Sequence, residues 1–156
     1  MVAEQQDRYP KGTYKVLFTR HPSGGAGYCV INLATGLYSC SFSLWGLLKS
    51  IEGDLSTNKF PQSAMQYRTW GTGLAAERKD GEAAQDADAF MPEALPESGG
   101  PTFVISVLFR QNATWQGRVQ WIEGRQTRQF RSLNELLSLM DEAERLITHR
   151  AQFKHA

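Results

Sequence analysis

The residues best suited to contact a ligand lie in the stretch WQGRVQWIEGRQTRQF, from Trp115 to Phe130. Together with Arg131, which follows directly, this stretch holds four arginines, and glutamines lie between them. Arginine donates paired hydrogen bonds to phosphates and to guanine, and glutamine pairs with adenine. These residue types favour contact with a nucleic acid, provided that the fold brings them to one surface.

Alternation of polar and apolar residues sorts the stretch into the two faces of a β-hairpin. We predict a two-residue turn at Glu123 and Gly124, with the glycine at a positive φ. The face expected to pack on a helix carries Val119, Trp121 and Phe130, together with Gln126 and Arg128. The opposite face carries the predicted nucleic-acid contacts Arg118, Gln120, Arg125, Gln129 and Arg131, with Thr127 and Ile122. A solvated face without a ligand is the alternative, because antiparallel sheets commonly expose one side to water.

The hairpin belongs to one of two segments that align from end to end. Val16-Leu17-Phe18 matches Val107-Leu108-Phe109, and Gly27 matches Gly117. Further matches are Phe42 with Phe130 and Leu47-Leu48 with Leu136-Leu137. We infer an internal duplication.

Each copy predicts three strands followed by one helix. The predicted strands are Tyr14–Arg20, Gly27–Asn32 and Leu37–Phe42 in the first copy, and Thr102–Arg110, Gly117–Ile122 and Arg125–Phe130 in the second. Ser132 and Glu135 form a capping box ahead of an amphipathic helix over Leu133–His149. Ser43 caps a shorter helix in the first copy, and we expect Gly53 to end it.

The sequence therefore predicts an α+β fold made of two βββα units packed as a pseudo-symmetric pair. Each unit is an antiparallel three-stranded sheet with one helix, which is marginal as an independent domain. Residues 12–70 form the first unit with an aromatic extension, and residues 101–150 form the second. Residues 71–100 form an acidic flexible linker, in which positions 76–100 carry seven acidic and two basic residues.

The second unit resembles the DNA-binding domains of the integrase type and of plant ethylene-response factors. Within residues 102–149, the resemblance rests on W-x-G-x-V-x-W, starting at Trp115, and on F-R-S-L-x-E-L, starting at Phe130. In that family the three strands enter the major groove and the helix packs behind them. The resemblance implies DNA binding by the second unit only. The first unit carries Tyr28, Val30 and Leu37 on its aligned face, which favours a protein interface.

Two other functions fit the residues. The first is a protein–protein adaptor or inhibitor that contacts its partner through Trp115, Tyr28, Val30 and Leu37, because aromatic residues are enriched at binding hot spots. The second is a sensor of a small anionic ligand, held by Arg128 and Gln126 in a cleft between the two units.

Catalytic and metal-binding patterns are absent from the sequence. The three histidines are scattered, and the cysteines lack C-x-x-C spacing. The run HPSGGAG has no lysine where a phosphate-binding loop needs one. No apolar run is long enough to span a bilayer, and the polar N-terminus does not read as a signal peptide. We therefore predict a non-catalytic cytoplasmic binding module, not an enzyme, without cofactor, metal or membrane contact.

The two cysteines are expected to face each other across the first hairpin. A four-residue loop from Leu33 to Gly36, with glycine last, places Cys29 opposite Cys40. In a reducing cytoplasm we expect two buried thiols that face the helix with Ile31 and Phe42.

Overall fold

The computed structural model describes residues 9–20, 26–57, 89–90 and 98–153. In chain order the elements are β1 (Thr13–Arg20), β2 (Ala26–Asn32), β3 (Tyr38–Ser41), α1 (Leu44–Thr57), β4 (Ala89–Phe90), β5 (Ser98–Phe109), β6 (Gln116–Trp121), β7 (Gln126–Phe130) and α2 (Leu133–Phe153). The strands form one sheet of seven in the order β4-β3-β2-β1-β5-β6-β7, with every neighbouring pair antiparallel. The predicted α+β class is confirmed.

The centre of the sheet is the pair β1 and β5. Val16 lies opposite Phe103 and Tyr14 opposite Ile105, and all four side chains are buried. Helix α1 packs on β2 and β3, and helix α2 packs on β5, β6 and β7. Both helices contribute to the same hydrophobic core, so they cover the same face of the sheet. One continuous sheet therefore joins the two halves of the chain.

Both predicted serine caps are present, but the Glu135 carboxylate of the predicted capping box bonds to Arg131. The Ser132 hydroxyl accepts a hydrogen bond from the Glu135 amide at 3.1 Å, and the Ser43 hydroxyl accepts one from the Gly46 amide at 3.0 Å. The prediction that Gly53 ends the first helix is wrong, because α1 continues to Thr57. Leu55 lies beyond the glycine and is 1 % exposed. Burying a leucine contributes roughly 1.5–3 kcal/mol, which exceeds the cost of about 1 kcal/mol for an interior helical glycine.

The two β-hairpins turn differently. Gly36 ends the predicted four-residue loop and has a positive φ of 77°. In the second hairpin, Trp121 pairs with Gln126, so the loop has four residues instead of the predicted two. Arg125 takes the left-handed conformation at φ 50°, which the prediction assigned to Gly124. Glycine is required at position 124 for space, since a Cβ there would lie 2.1 Å from the Trp121 ring.

The cysteines pair across β2 and β3 as predicted, with Cys29 opposite Cys40. They form a disulfide, and they lie with Leu17, Ile31 and Tyr38 in a small cluster apart from the main core. The prediction of reduced thiols facing the helix is therefore wrong. Val30 next to Cys29 points into the main core, so Cys29 must point to the opposite face.

Most of the predicted linker, residues 71–100, lies outside the described residues. Its described parts are strands: Ala89–Phe90 forms β4 and pairs with β3, and residues 98–100 begin β5. The aromatic stretch from 60 to 70 also lies outside the described residues. Among the helices that are described, none is long and apolar enough to cross a membrane.

Candidate functional site

The polar residues of the second hairpin lie on the sheet face that the helices leave uncovered. Arg118 pairs with Gln129 across β6 and β7, and Gln120 pairs with Thr127. All four side chains are exposed. Val119, Trp121 and Phe130 are buried in the main core, which confirms the predicted division into two faces. We call the surface formed by Arg118, Gln120, Thr127 and Gln129 the open face.

Half-buried residues of the central strands adjoin the open face. Ser106 of β5 lies beside Arg118, and Val104 of β5 lies beside Gln120. The next residue in the second row is Lys15 of β1, which pairs with Val104. Strands β5, β6 and β7 contain no acidic residue. The open face therefore presents one cation, Arg118, among hydrogen-bonding groups, and the three strands hold no carboxylate.

Arg125 and Arg131 lie at the two ends of β7. Arg125 is an exposed residue of the hairpin loop. The guanidinium of Arg131 is 89 % exposed and lies 3.4 Å from the Glu135 carboxylate. Such an exposed pair contributes little, so Arg131 can exchange this partner for a phosphate. The structure thus brings together Arg118, Gln120 and Gln129 and places the other two predicted contacts beside them as flanking cations.

The acidic residue of this hairpin is held by the backbone. The carboxylate of Glu123 accepts a hydrogen bond from the Thr102 amide at 2.9 Å. The Thr102 carbonyl in turn accepts from the Ile122 amide at 2.9 Å. These bonds fix the hairpin loop to β5 and compensate part of the negative charge of Glu123.

The predicted protein interface does not form one surface. Trp115 is 4 % exposed, and its indole N–H donates to the Glu52 carboxylate at 2.5 Å. Val30 is buried opposite Val16 in the main core. Val30 is buried because it packs beside the apolar Val16. Trp115 can be buried because the Glu52 carboxylate accepts the hydrogen bond of its indole N–H. Tyr28 is half-buried, and Leu37 is exposed in the first hairpin loop.

Arg128 and Gln126 do not line a cleft between the halves. Both lie on β7 at the far side of the sheet, where the Arg128 guanidinium donates to the Gln126 side chain at 3.0 Å. The halves meet at β1 and β5, and β6 separates β5 from β7. The predicted anion site is therefore wrong, because alternation along a strand gives the face of a residue but not the place of its strand in the sheet.

A groove does lie between the halves, at the end of the sheet where β1 finishes and β5 begins. It has a volume of about 600 Å³ and is lined by the ends of β1, β2 and β5 and by the C-terminal half of α2. Phe18 and Tyr28 are among its lining residues. We call it the inter-half groove. Sequence reasoning missed it because its residues come from four separate elements.

Sequence reasoning also missed a buried polar cluster at the opposite end of the sheet. Arg110 is 5 % exposed, and its guanidinium donates to the Glu52 carboxylate and to the Ser56 hydroxyl, each at 3.0 Å. Trp115 shares the Glu52 carboxylate. Glu52 and Ser56 belong to α1, whereas Arg110 and Trp115 belong to the connection between β5 and β6. The cluster therefore fixes the first helix to the second half of the chain.

A second carboxylate of α1 binds the central strands. Asp54 accepts hydrogen bonds from the Tyr14 hydroxyl and from the Asn32 side-chain amide, the latter at 2.9 Å. Burial raises the pKa of Tyr14, and the hydrogen bond and negative charge of Asp54 raise it further. The Tyr14 hydroxyl therefore stays a protonated donor, and the cluster acts as structural support.

Metal ligation finds no support in the part of the chain that the structure describes, where histidine, cysteine and acidic side chains form no group able to hold an ion. No family model, curated protein or solved structure matches the chain.

Proposed function

We propose that the protein is a non-catalytic binding module that recognises nucleic acid through the open face. The observation that carries the proposal is the direct cross-strand pairing of Arg118 with Gln129 and of Gln120 with Thr127, all exposed on a face that no described helix covers. Side chains of one sheet face point in one direction, so these groups can meet one ligand surface together.

The chemistry of the open face suits a duplex. Arginine and glutamine can contact base edges, and the flanking arginines Arg125 and Arg131 can contact phosphates on either side. Strands β5 to β7 span about 10 Å at the usual strand spacing, which fits a major groove about 12 Å wide. Because β7 ends the strand order, β5, β6 and β7 can enter a groove without β1 and the strands beyond it.

The arrangement of the second half supports the family resemblance proposed from the sequence. Its order is β5, β6, β7 and α2, and α2 packs on the face away from Arg118. In the integrase and ethylene-response-factor domains, too, three strands contact DNA and the helix lies behind them. The first half lacks the polar set, so we propose that it serves as a scaffold.

We also propose that the two halves arose by duplication as βββα units. The elements β1, β2, β3 and α1 have the same order as β5, β6, β7 and α2, and the halves meet through the antiparallel pair β1 and β5. Val16 and Val107 both point into the core, as their alignment requires. Gly27 and Gly117 point to opposite faces, so the second strands are shifted by one residue relative to the sequence alignment.

The proposal is tested by fluorescence anisotropy with labelled duplex DNA, duplex RNA and single-stranded oligonucleotides at low salt. The wild-type protein is expected to bind a duplex. The variant R118Q/R125Q/R131Q is expected to bind at least roughly tenfold more weakly, because each arginine contact contributes about 1–3 kcal/mol when it is bidentate to a base and less to a phosphate.

The matched control is R145Q. Arg145 is an arginine of α2 that is 80 % exposed, and it lies on the helix-covered side of the sheet. Its substitution should leave binding unchanged. Absence of binding by the wild type, or an equal loss in R145Q, would overturn the proposal.

A further inference from the structure

We infer that the inter-half groove is a second binding site, which takes a small zwitterion with an apolar body, of the amino-acid or short-peptide type. The inference is independent of the open face, which lies on the other side of the sheet. It rests on the shape of the groove and on the charges at its walls.

The floor of the groove is aromatic. Phe18 and Tyr28 pair across β1 and β2 and meet edge to face, with ring centroids 5.0 Å apart. Phe18 continues into the core through a second edge contact with Phe103 at 5.6 Å. The floor is therefore fixed by the core, and its rings offer an apolar surface with a preference for aromatic partners. A volume of about 600 Å³ lies within the range of small-molecule sites.

Among the described residues that line the groove, Arg20 is the cation and Glu144 is the anion. Arg20 lies at the end of β1, and Glu144 lies on α2. Both side chains are exposed, and in the described part of the chain neither forms an ion pair. Glu144 and Tyr28 line the same groove, where burial raises the pKa of Tyr28 and the charge of Glu144 raises it further.

These features together select the ligand class. Arginine binds a carboxylate through two parallel hydrogen bonds, and a glutamate accepts from an ammonium group. A molecule with both charges and an apolar side chain can satisfy Arg20 and Glu144 while its body covers the aromatic floor. A simple anion would leave the Glu144 carboxylate without its ammonium partner, and a simple cation would leave Arg20 without a carboxylate.

Two of the three residues that β5 contributes to the groove wall are glycines, Gly99 and Gly100, and the third is Pro101. A Cβ at Gly99 would lie 2.8 Å from the Arg20 side chain, and a Cβ at Gly100 would lie 3.1 Å from Phe18. Glycine at both positions therefore lets the backbone of β5 approach Arg20 and Phe18 closely.

The test is isothermal titration calorimetry of the full chain with four probes. L-Phenylalanine and the dipeptide phenylalanyl-phenylalanine carry both charges and distinguish a free amino acid from a peptide end. Phenylalaninamide lacks the carboxylate, and 3-phenylpropionate lacks the ammonium group. We expect saturable binding of at least one zwitterion and about tenfold weaker binding of both analogues, which is the loss expected for one charged hydrogen-bonding partner.

Variants identify the two walls. E144Q should weaken binding of the zwitterion about tenfold and leave the affinity for 3-phenylpropionate unchanged. R20Q should weaken binding of the zwitterion about tenfold and leave the affinity for phenylalaninamide unchanged. E142Q is the matched control, because Glu142 is an exposed acid of α2 that does not line the groove. R118Q should also bind normally, which separates this site from the proposed nucleic-acid surface.

Three results would overturn the inference. They are absence of saturable binding of either zwitterion to the wild type, equal binding of the zwitterions and their singly charged analogues, and a loss in E142Q as large as that in E144Q. Because Arg20 and Glu144 are exposed, neither variant should unfold the protein, and unchanged thermal melting would verify this.

Discussion

Replacing Glu52 by glutamine tests whether the buried cluster joins the two halves of the chain. The Glu52 carboxylate accepts from Arg110 at 3.0 Å and from Trp115 at 2.5 Å, and both donors are about 95 % buried, with exposures of 5 % and 4 %. Removing one partner of a buried ion pair costs about 3–5 kcal/mol. Glu52 is 30 % exposed and Arg110 keeps its bond to Ser56, so we expect a smaller loss, of about 2–3 kcal/mol.

The loss is measured by urea unfolding of E52Q and the wild type. A loss of this size should lower the melting temperature by roughly 4–12 °C for a chain of this length. It should persist in high salt, because buried pairs are screened less than exposed ones.

The matched control is D141N, which breaks the pair between Asp141 and Arg145 on α2. These side chains are 57 % and 80 % exposed, so this substitution should cost at most about 0.5 kcal/mol. If E52Q were as mild as D141N, the cluster would not hold α1 to the connection between β5 and β6, and the reasoning would be refuted.

Four further predictions concern stability. Gly53→Ala should stabilise the protein by about 0.5–1 kcal/mol, because a Cβ there meets nothing within 4 Å. Gly117→Ala should destabilise the protein by about 1–3 kcal/mol or more, because its Cβ would lie 1.9 Å from a backbone oxygen of β5. Urea unfolding midpoints of the two alanine variants that shift in the same direction would contradict this pair of predictions. The raised pKa of Tyr14 means that the folded protein holds the phenolic proton more tightly than the unfolded chain does. This contribution to the free energy of unfolding is complete below about pH 10 and is lost above it. The difference in free energy of unfolding between the wild type and Tyr14→Phe should therefore shrink as the pH rises past about 10. A difference that stays constant with pH would contradict the prediction. Reducing the disulfide between Cys29 and Cys40, which are 11 positions apart, should lower the free energy of unfolding by about 2–3 kcal/mol. Thermal melts with and without reductant measure this loss. A reductant effect of equal size in C29S/C40S would contradict the prediction.

Features that depend on neighbouring residues could be predicted from the sequence. The caps at Ser43 and Ser132 are bonds across three positions, and Gly36 ends a short loop. The two faces of the second hairpin follow from alternation, because polar and apolar residues there differ clearly. These features account for the strands, the helix starts and the open face.

The first hairpin gives no such contrast. Tyr28, Cys29, Val30 and Ile31 are all apolar or amphipathic, so alternation does not show which of them face the core. The structure places Val30 in the main core and Cys29 on the opposite face. The pairing of the cysteines was therefore predictable from loop length, but their face was not.

Contacts between distant residues were beyond sequence reasoning. Arg110 and Glu52 are 58 positions apart, and Trp115 and Glu52 are 63 apart. Each residue alone is typical of a helix surface or a strand end, and only the pairing of β1 with β5 brings them together. The same pairing creates the inter-half groove, which has no local signature in the sequence.

The salt dependence of duplex binding tests the central claim most directly. Neutralising phosphates releases counterions, so the logarithm of the binding constant should fall linearly with the logarithm of salt concentration. The slope for R118Q/R125Q/R131Q should be shallower than that of the wild type by about one for each phosphate-contacting arginine removed, and the slope for R145Q should equal that of the wild type. Equal slopes for the wild type and the triple variant, or no duplex binding at low salt, would contradict the account.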